Sequence, residues 1–144
     1  ETRNRDGMDI ALATIDFAEK KLYYSGAKNP LVHICNGKLN TIKASKFPVG
    51  GMLEEGDKMR SYDLHTIHLD DKQPNIFYLF TDGFQDQFGG AKGKKLMFKH
   101  FQNMLTQIHE KPLKEQRIIL DQNIEEWKGN LEQVDDITVI GIRI

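Results

Sequence analysis

A chain of 144 residues, 39% hydrophobic and 28% charged, has the length and composition of one globular domain that can bury a core without disulfides or zinc. Twenty basic against 21 acidic side chains give a formal net charge of −1, which argues against a protein that mainly binds nucleic acid. No apolar run approaches the roughly 20 residues of a membrane span, and the polar first residues do not have the pattern of a secretory leader. We therefore expect a cytoplasmic protein without membrane contact.

The first half of the chain predicts an antiparallel series of strands. Residues 9–17 have apolar side chains on both faces and predict a central strand, which residues 21–25 follow as a second one. Asn36 and Gly37 supply the positive φ angles of a tight hairpin turn between strands at 31–35 and 38–43. Two further strands are expected near 59–69 and at 76–81.

The second half changes to a helical period. Apolar residues three and four positions apart predict a helix over 95–109, and a second helix begins at Pro112 and ends near Gly129. A last strand is expected at 137–144. Strands segregated from helices indicate an α+β fold with antiparallel sheet packed against helices, in a single domain over 1–144. The helices cover one sheet face, so the other needs a second sheet, another chain or residues outside this sequence.

Two acidic turns are the main candidates for chemistry. The apolar run at 76–80 leads through Thr81 into Asp82 and Gly83, and Asp135 and Asp136 directly precede the last strand. A carboxylate at a strand end is rigidly held and opens onto a cleft, as a hard divalent cation requires. Taken alone, each turn is better explained structurally, by an aspartate that caps the next turn and by an exposed acidic loop.

A glycine- and lysine-rich stretch at 89–95 is a weaker candidate. It lacks the spacing of a phosphate-binding loop and the serine or threonine that binds magnesium there. We interpret it as a flexible basic loop that could attract an anionic substrate. Asp86 is either a further metal ligand or a solvated loop acid.

Five short motifs, taken in order, resemble the catalytic domain of SpoIIE-type bacterial serine/threonine phosphatases, within the metal-dependent PPM class. They are MDIAL at 8–12, YSGAKNP at 24–30, PVG at 48–50, FTDG at 80–83 and VDDIT at 134–138. Lys28 stands where the family usually has a histidine. The resemblance covers nearly the whole chain and implies part of an α-β-β-α sandwich.

The resemblance implies a two-metal site that uses Mn²⁺ or Mg²⁺ to hydrolyse phosphoserine and phosphothreonine. Carried over by position, Asp82 and Asp135 bind one metal, Asp136 matches the second acid of its motif, and Gly83 shapes the turn. Substrates of the family are phosphoproteins, typically anti-sigma-factor antagonists in partner-switching signalling that regulates sigma factors.

The sequence departs from the family in one respect, because it lacks the motif Asp-x-x-Gly-His-Gly. In the family, this motif supplies the carboxylate that bridges both metals. Its absence implies an N-terminally incomplete phosphatase domain, and we expect this chain to have little or no activity by itself. The alternative is a non-catalytic interaction module, a pseudophosphatase. In that case Asp82 and Asp135 are structural, and an exposed apolar sheet face docks a partner or a second copy of the chain.

Overall fold

A computed structural model of the protein describes residues 7–51, 60–70 and 72–144. Its elements in chain order are β1 (Gly7–Met8), β2 (Ile10–Asp16), β3 (Lys21–Ala27), β4 (Leu31–Cys35), β5 (Lys38–Ile42), β6 (Val49–Gly50), β7 (His65–His68), β8 (Asn75–Phe80), α1 (Gly83–Asp86), β9 (Phe88–Gly89), β10 (Lys94–Lys95), α2 (Phe98–Ile108), α3 (Leu113–Lys128) and β11 (Val139–Arg143). The α+β class with antiparallel sheets is confirmed.

Two larger antiparallel sheets organise the described part of the chain. One has the strand order β2-β3-β7, and the other has the order β11-β8-β4-β5. Because side chains alternate across a strand, each sheet turns one apolar face inward. The two faces meet in a buried cluster built on Leu22 and Tyr24 of the first sheet and on Leu31 and Phe77 of the second. This second sheet is the partner that the strand pattern required.

Helices α2 and α3 cover the other face of the four-stranded sheet. Their apolar stripes pack on residues of β4 and β8 in a second buried cluster, which includes Val32, Ile34, Tyr78, Phe80, Phe101, Leu105, Leu120 and Ile124. Helix α3 follows Pro112 and ends at Gly129, whose φ of 55° suits glycine, as the sequence indicates. No helix in the described ranges has the length and apolar character to span a membrane.

The outer face of the three-stranded sheet carries an exposed apolar side chain. Ala11 and Ala13 of β2 pack toward the second sheet, so Leu12 between them points outward. Leu12 is 63% exposed, which shows that this part of the face lies open to solvent in the described structure.

Several predicted bounds differ from the structure. The strand expected near 59–69 is confined to His65–His68, with Met59 outside the described residues. The polar start of the chain is described only at Gly7–Met8, a short strand that pairs with β6. The helix predicted over 95–109 begins only at Phe98, because Met97 takes a positive φ of 73°. The loop predicted at 89–95 is part of a hairpin in which β9 pairs with β10.

Candidate functional site

The two acidic turns lie side by side at one end of the four-stranded sheet. Strands β8 and β11 are antiparallel neighbours whose register pairs Phe80 with Val139. Antiparallel pairing places the end of one strand beside the start of the other. Asp82 follows β8 and Asp136 precedes β11, so residues far apart in sequence become neighbours in space.

Thr81 joins the two turns by hydrogen bonds. Its hydroxyl donates to the carbonyl oxygen of Asp136 at 2.7 Å and accepts from the backbone N–H of Thr138 at 2.9 Å. Its own backbone N–H donates to the carbonyl oxygen of Thr138 at 3.1 Å. These bonds continue the β8–β11 ladder past its last strand pair and hold the second turn against the first.

Gly83 permits a close approach of the two backbones. A Cβ atom at this position would lie 2.4 Å from the carbonyl oxygen of Asp136 and 3.2 Å from that of Asp135. The first distance is far inside van der Waals contact and involves backbone, which has little freedom to yield. The supporting role assigned to Gly83 by the family resemblance thus has a steric basis, since a larger residue would push the turns apart.

The Asp82 carboxylate is exposed and does not cap the helix that follows it. Asp82 directly precedes α1, yet its side chain makes no capping hydrogen bond. Across the described ranges, neither its carboxylate nor that of Asp136 takes part in a hydrogen bond or ion pair that the structure records. The structural interpretation of Asp82 as a turn cap therefore does not hold, and the carboxylate remains available to a ligand.

The neighbouring acids differ in how far they are engaged. Asp135 accepts the backbone N–H of Asp136 at 2.7 Å through Oδ1, which leaves Oδ2 available. Asp86 forms an ion pair with Lys95 at 2.9 Å. The sequence left Asp86 as either a metal ligand or a solvated loop acid. The structure adds a third interpretation, in which Asp86 is the partner of a lysine in an ion pair.

The donors present suit part of a Mn²⁺ or Mg²⁺ site. Both cations prefer hard carboxylate oxygens, and Mg²⁺ takes about six ligands, several of them water. Asp82 and Asp135 offer such oxygens from adjacent turns. Within the described residues, no group of three or more His, Cys, Asp or Glu side chains is placed to hold a metal ion. The donor chemistry fits, and these residues would hold part of such a site.

Gln87 is a residue at this site that the sequence did not indicate. Its side chain is wholly buried, and its amide group donates to the carbonyl oxygen of Glu132 at 2.9 Å. Glu132 lies three residues before Asp135. A lone glutamine in a polar stretch has no periodicity that would signal burial, because its burial follows from the packing of distant segments.

Comparison with known proteins defines the class. The family described as Stage II sporulation protein E (SpoIIE) matches residues 1–144. The protein belongs to this family, and its fold is that of the corresponding phosphatase domains.

Solved structures and a curated relative supply more detailed comparisons. The SiaA-PP2C domain of Pseudomonas aeruginosa is 31% identical, with a TM-score of 0.82 over 94% of this chain and 51% of that one. The phosphatase domain of SpoIIE from Bacillus subtilis, presoaked with Mn, shares the fold at 13% identity and a TM-score of 0.67, over 94% of this chain and 56% of that one. The DNA repair protein RecO of Oceanobacillus iheyensis is 28% identical over 109 residues, 74% of this chain and 40% of that protein.

These comparisons differ in what they cover. The chain spans about half the length of the phosphatase structures it matches and less than half of the RecO protein. The RecO similarity names another class of protein. The family match and the two folds agree with each other over nearly the whole chain, and the assignment to the SpoIIE family follows from them.

Proposed function

We propose that this chain is part of a metal-dependent phosphatase domain that removes phosphate from phosphoserine and phosphothreonine in cytoplasmic bacterial signalling. The observation that carries the proposal is the meeting of Asp82 with the Asp135–Asp136 turn, joined through Thr81 and closed over Gly83. Membership of a family of phosphatase domains supports the same chemistry.

The roles of the residues follow from their positions. Asp82 and the free oxygen of Asp135 bind one Mn²⁺ or Mg²⁺, and Asp136 offers a second exposed carboxylate beside them. When bound, the cation supplies a Lewis acid for the phosphoryl oxygens and acidifies a coordinated water. The Thr81 hydrogen bonds hold the backbones of the two turns together before any cation arrives, which lowers the cost of bringing the ligands together.

The proposal extends to the substrate and to the limits of this chain. The substrate is a phosphoprotein, such as an anti-sigma-factor antagonist of a partner-switching pathway that regulates sigma factors. Since the bridging Asp-x-x-Gly-His-Gly motif is absent from these 144 residues, they form an N-terminally incomplete phosphatase domain. The chain itself then has little or no turnover, and the activity belongs to the longer parent protein.

Metal titration tests the site. We expect calorimetry to detect Mn²⁺ binding to the wild-type chain, and Asp82→Asn to weaken it at least about tenfold because a charged ligand is lost. Asp121→Asn is the matched control, since Asp121 is also exposed but lies on α3. Equal affinity in all three proteins would contradict the proposed metal site.

Activity is a separate test. With Mn²⁺ and p-nitrophenyl phosphate, we expect negligible turnover by the 144-residue chain and Asp82-dependent dephosphorylation by the parent protein. Robust turnover by this chain that Asp82→Ala abolishes would disprove the proposal that the domain is incomplete. A parent protein without phosphatase activity would disprove the enzymatic assignment.

The second candidate function is a non-catalytic interaction module. The exposed Leu12 on the outer face of the three-stranded sheet favours it, because covering an exposed apolar side chain with a partner removes apolar surface from water. This face would pair two copies of the chain or bind a partner protein. Sedimentation should then show a dimer that Leu12→Thr dissociates, and a monomer at high concentration would exclude the homodimer.

A further inference from the structure

Gln87 occupies a buried position between the two halves of the candidate site. It directly follows α1, the short helix that begins after Asp82. Its side-chain Nε2 donates to the carbonyl oxygens of Phe88 at 3.0 Å and Glu132 at 2.9 Å. Its Oε1 accepts the backbone N–H of Val134 at 3.4 Å. One carboxamide thus connects the end of the first acidic turn to the segment that leads into the second.

The backbone of Gln87 is itself fixed by three other parts of the fold. Its N–H donates to the carbonyl oxygen of Gly83 at 3.1 Å, and its carbonyl oxygen accepts the N–H of Leu96 at 3.0 Å. The same carbonyl accepts the indole N–H of Trp127, near the end of α3, at 3.0 Å. The backbone of Gln87 is therefore well anchored, and its side chain can hold a less regular segment in place.

The segment that Gln87 holds has little regular structure of its own. Residues 130–138 contain neither helix nor strand, so no helical or sheet ladder fixes Asp135 and Asp136. Downstream, Thr81 binds Asp136 and Thr138. Upstream, the Gln87 carboxamide binds the backbone of Glu132 and Val134. The acidic turn is thus held from both sides.

We propose that Gln87 is a positioning residue that sets the carboxylates of Asp135 and Asp136 relative to Asp82, an inference that rests on the proposed metal site. Groups that orient metal ligands contribute substantially to metal affinity. A side chain here must both donate to two carbonyls and accept from an N–H within a buried space, which a neutral amide of this length does.

Gln116 is a matched control within the same protein. It is also buried, at 2% exposure. Its Nε2 donates to the carbonyl oxygens of His109 at 3.1 Å and Lys111 at 2.8 Å, and its Oε1 accepts the Tyr78 hydroxyl at 2.7 Å. Arg143, at the far end of β11 from the acidic turn, donates to the same Lys111 carbonyl at 2.8 Å. Gln116 therefore has equivalent bonding away from the candidate site.

The test compares Gln87→Met with Gln116→Met, since methionine keeps the length and loses the hydrogen bonds. Three quantities are measured for each variant: the urea unfolding midpoint, the Mn²⁺ dissociation constant, and the hydrogen exchange of residues 132–138 without metal. We expect both variants to lose stability. Only Gln87→Met should weaken Mn²⁺ binding, by about 10- to 100-fold, and speed exchange at Val134 and Asp136 beyond the change in global stability. Gln116→Met should leave the affinity within about twofold.

The outcomes separate the inference from the proposed function. Equal effects of the two variants on exchange and affinity, or no local effect of Gln87→Met, would overturn the positioning role. If Asp82→Asn leaves Mn²⁺ binding unchanged, the metal site fails. Faster local exchange in Gln87→Met would then still support the role of Gln87 in holding the turn, and unchanged exchange would overturn that too. Should Gln87→Met not fold, Gln87→Asn and Gln116→Asn are measured in place of the two methionine variants, since asparagine keeps the neutral amide but is one methylene shorter.

Discussion

Gly83 and Asp136 approach so closely that a Cβ on the glycine would lie 2.4 Å from the aspartate's carbonyl oxygen. We expect Gly83→Ala to separate the two acidic turns and to lower the free energy of unfolding by about 1–3 kcal/mol, the usual cost of overpacking. Urea denaturation measures the change. Gly141→Ala is the control, because its nearest contact is the flexible Leu113 side chain at 3.2 Å. A Gly83→Ala variant no less stable than this control would contradict the steric argument.

Thr81 supplies the hydroxyl that joins the turns, so its removal should affect both stability and metal binding. Thr81→Val keeps the shape but loses the bonds to Asp136 and from Thr138. We expect a loss of about 0.5–1.5 kcal/mol in the free energy of unfolding, the usual net contribution of an intramolecular hydrogen bond, and weaker Mn²⁺ binding in titrations. Thr81→Ser keeps the hydroxyl and should retain most of both. Equal losses in the two variants would show that the methyl group, not the hydroxyl, matters.

Because of His33, we expect the folded protein to lose stability on mild acidification. Its ring is buried, stacks on Phe77 and lies 3.1 Å from Asn75 Oδ1. Burial lowers the pKa of His33 below its usual 6.5, although the hydrogen bond to Asn75 opposes the shift. The unfolded chain therefore takes up a proton first as the pH falls, and this contribution to stability is full above about pH 6.5 and declines below it.

A substitution isolates the effect of His33 from that of the other titrating groups. His33→Gln keeps a donor for Asn75 and does not titrate. Between pH 7.5 and 5, the unfolding free energy of the wild type should fall more than that of His33→Gln in urea titrations. Parallel curves for the two proteins would rule out His33 as the source of the acid sensitivity.

Because of Tyr78, we expect the protein to lose stability in alkali as well. Burial raises the pKa of Tyr78 to about 12, above the usual value near 10. Since the unfolded chain loses this proton first, stability should fall as the pH rises from about 10 to 12. Tyr78→Phe should remove part of that fall, and Tyr24, whose pKa burial also raises to about 12, should account for another part. At neutral pH, Tyr78→Phe leaves Gln116 Oε1 without its donor and should cost about 1 kcal/mol. Urea unfolding of the wild type and Tyr78→Phe at neutral pH measures the cost of the lost hydrogen bond, and the same comparison between about pH 10 and 12 measures the pH-dependent part.

Much of the fold follows from local pattern. The Asn36–Gly37 turn adopts the positive φ angles that the dipeptide predicts, 50° and 69°, and Pro112 and Gly129 bound α3 as expected. These features depend on neighbours in the chain, which sequence displays directly. The start of α2 was predicted too early, because the positive φ of Met97 reflects the hairpin before it and not the apolar period.

The roles of the residues in the candidate site follow less directly from sequence pattern. Asp82 alone was better explained as a turn cap, and the sequence could not tell whether Asp86 was a ligand. Hydrogen bonds and ion pairs add to the sequence on both points: the Asp82 side chain makes no cap bond, and Asp86 pairs with Lys95. No local sequence pattern marks Gln87 either, since its partners Glu132 and Val134 lie more than 40 positions away.

The sequence by itself determined the kinds of element, their order, and the acids that could bind a cation, because side-chain period and turn chemistry are local properties. Family membership placed the chain among phosphatase domains of the SpoIIE type. Only the tertiary structure decided that Asp82 and Asp136 are neighbours, since antiparallel pairing of β8 with β11 joins the ends of segments separated by three helices and a hairpin. Gly83 and Thr81 then bring those ends into contact, through a missing Cβ and a shared hydroxyl.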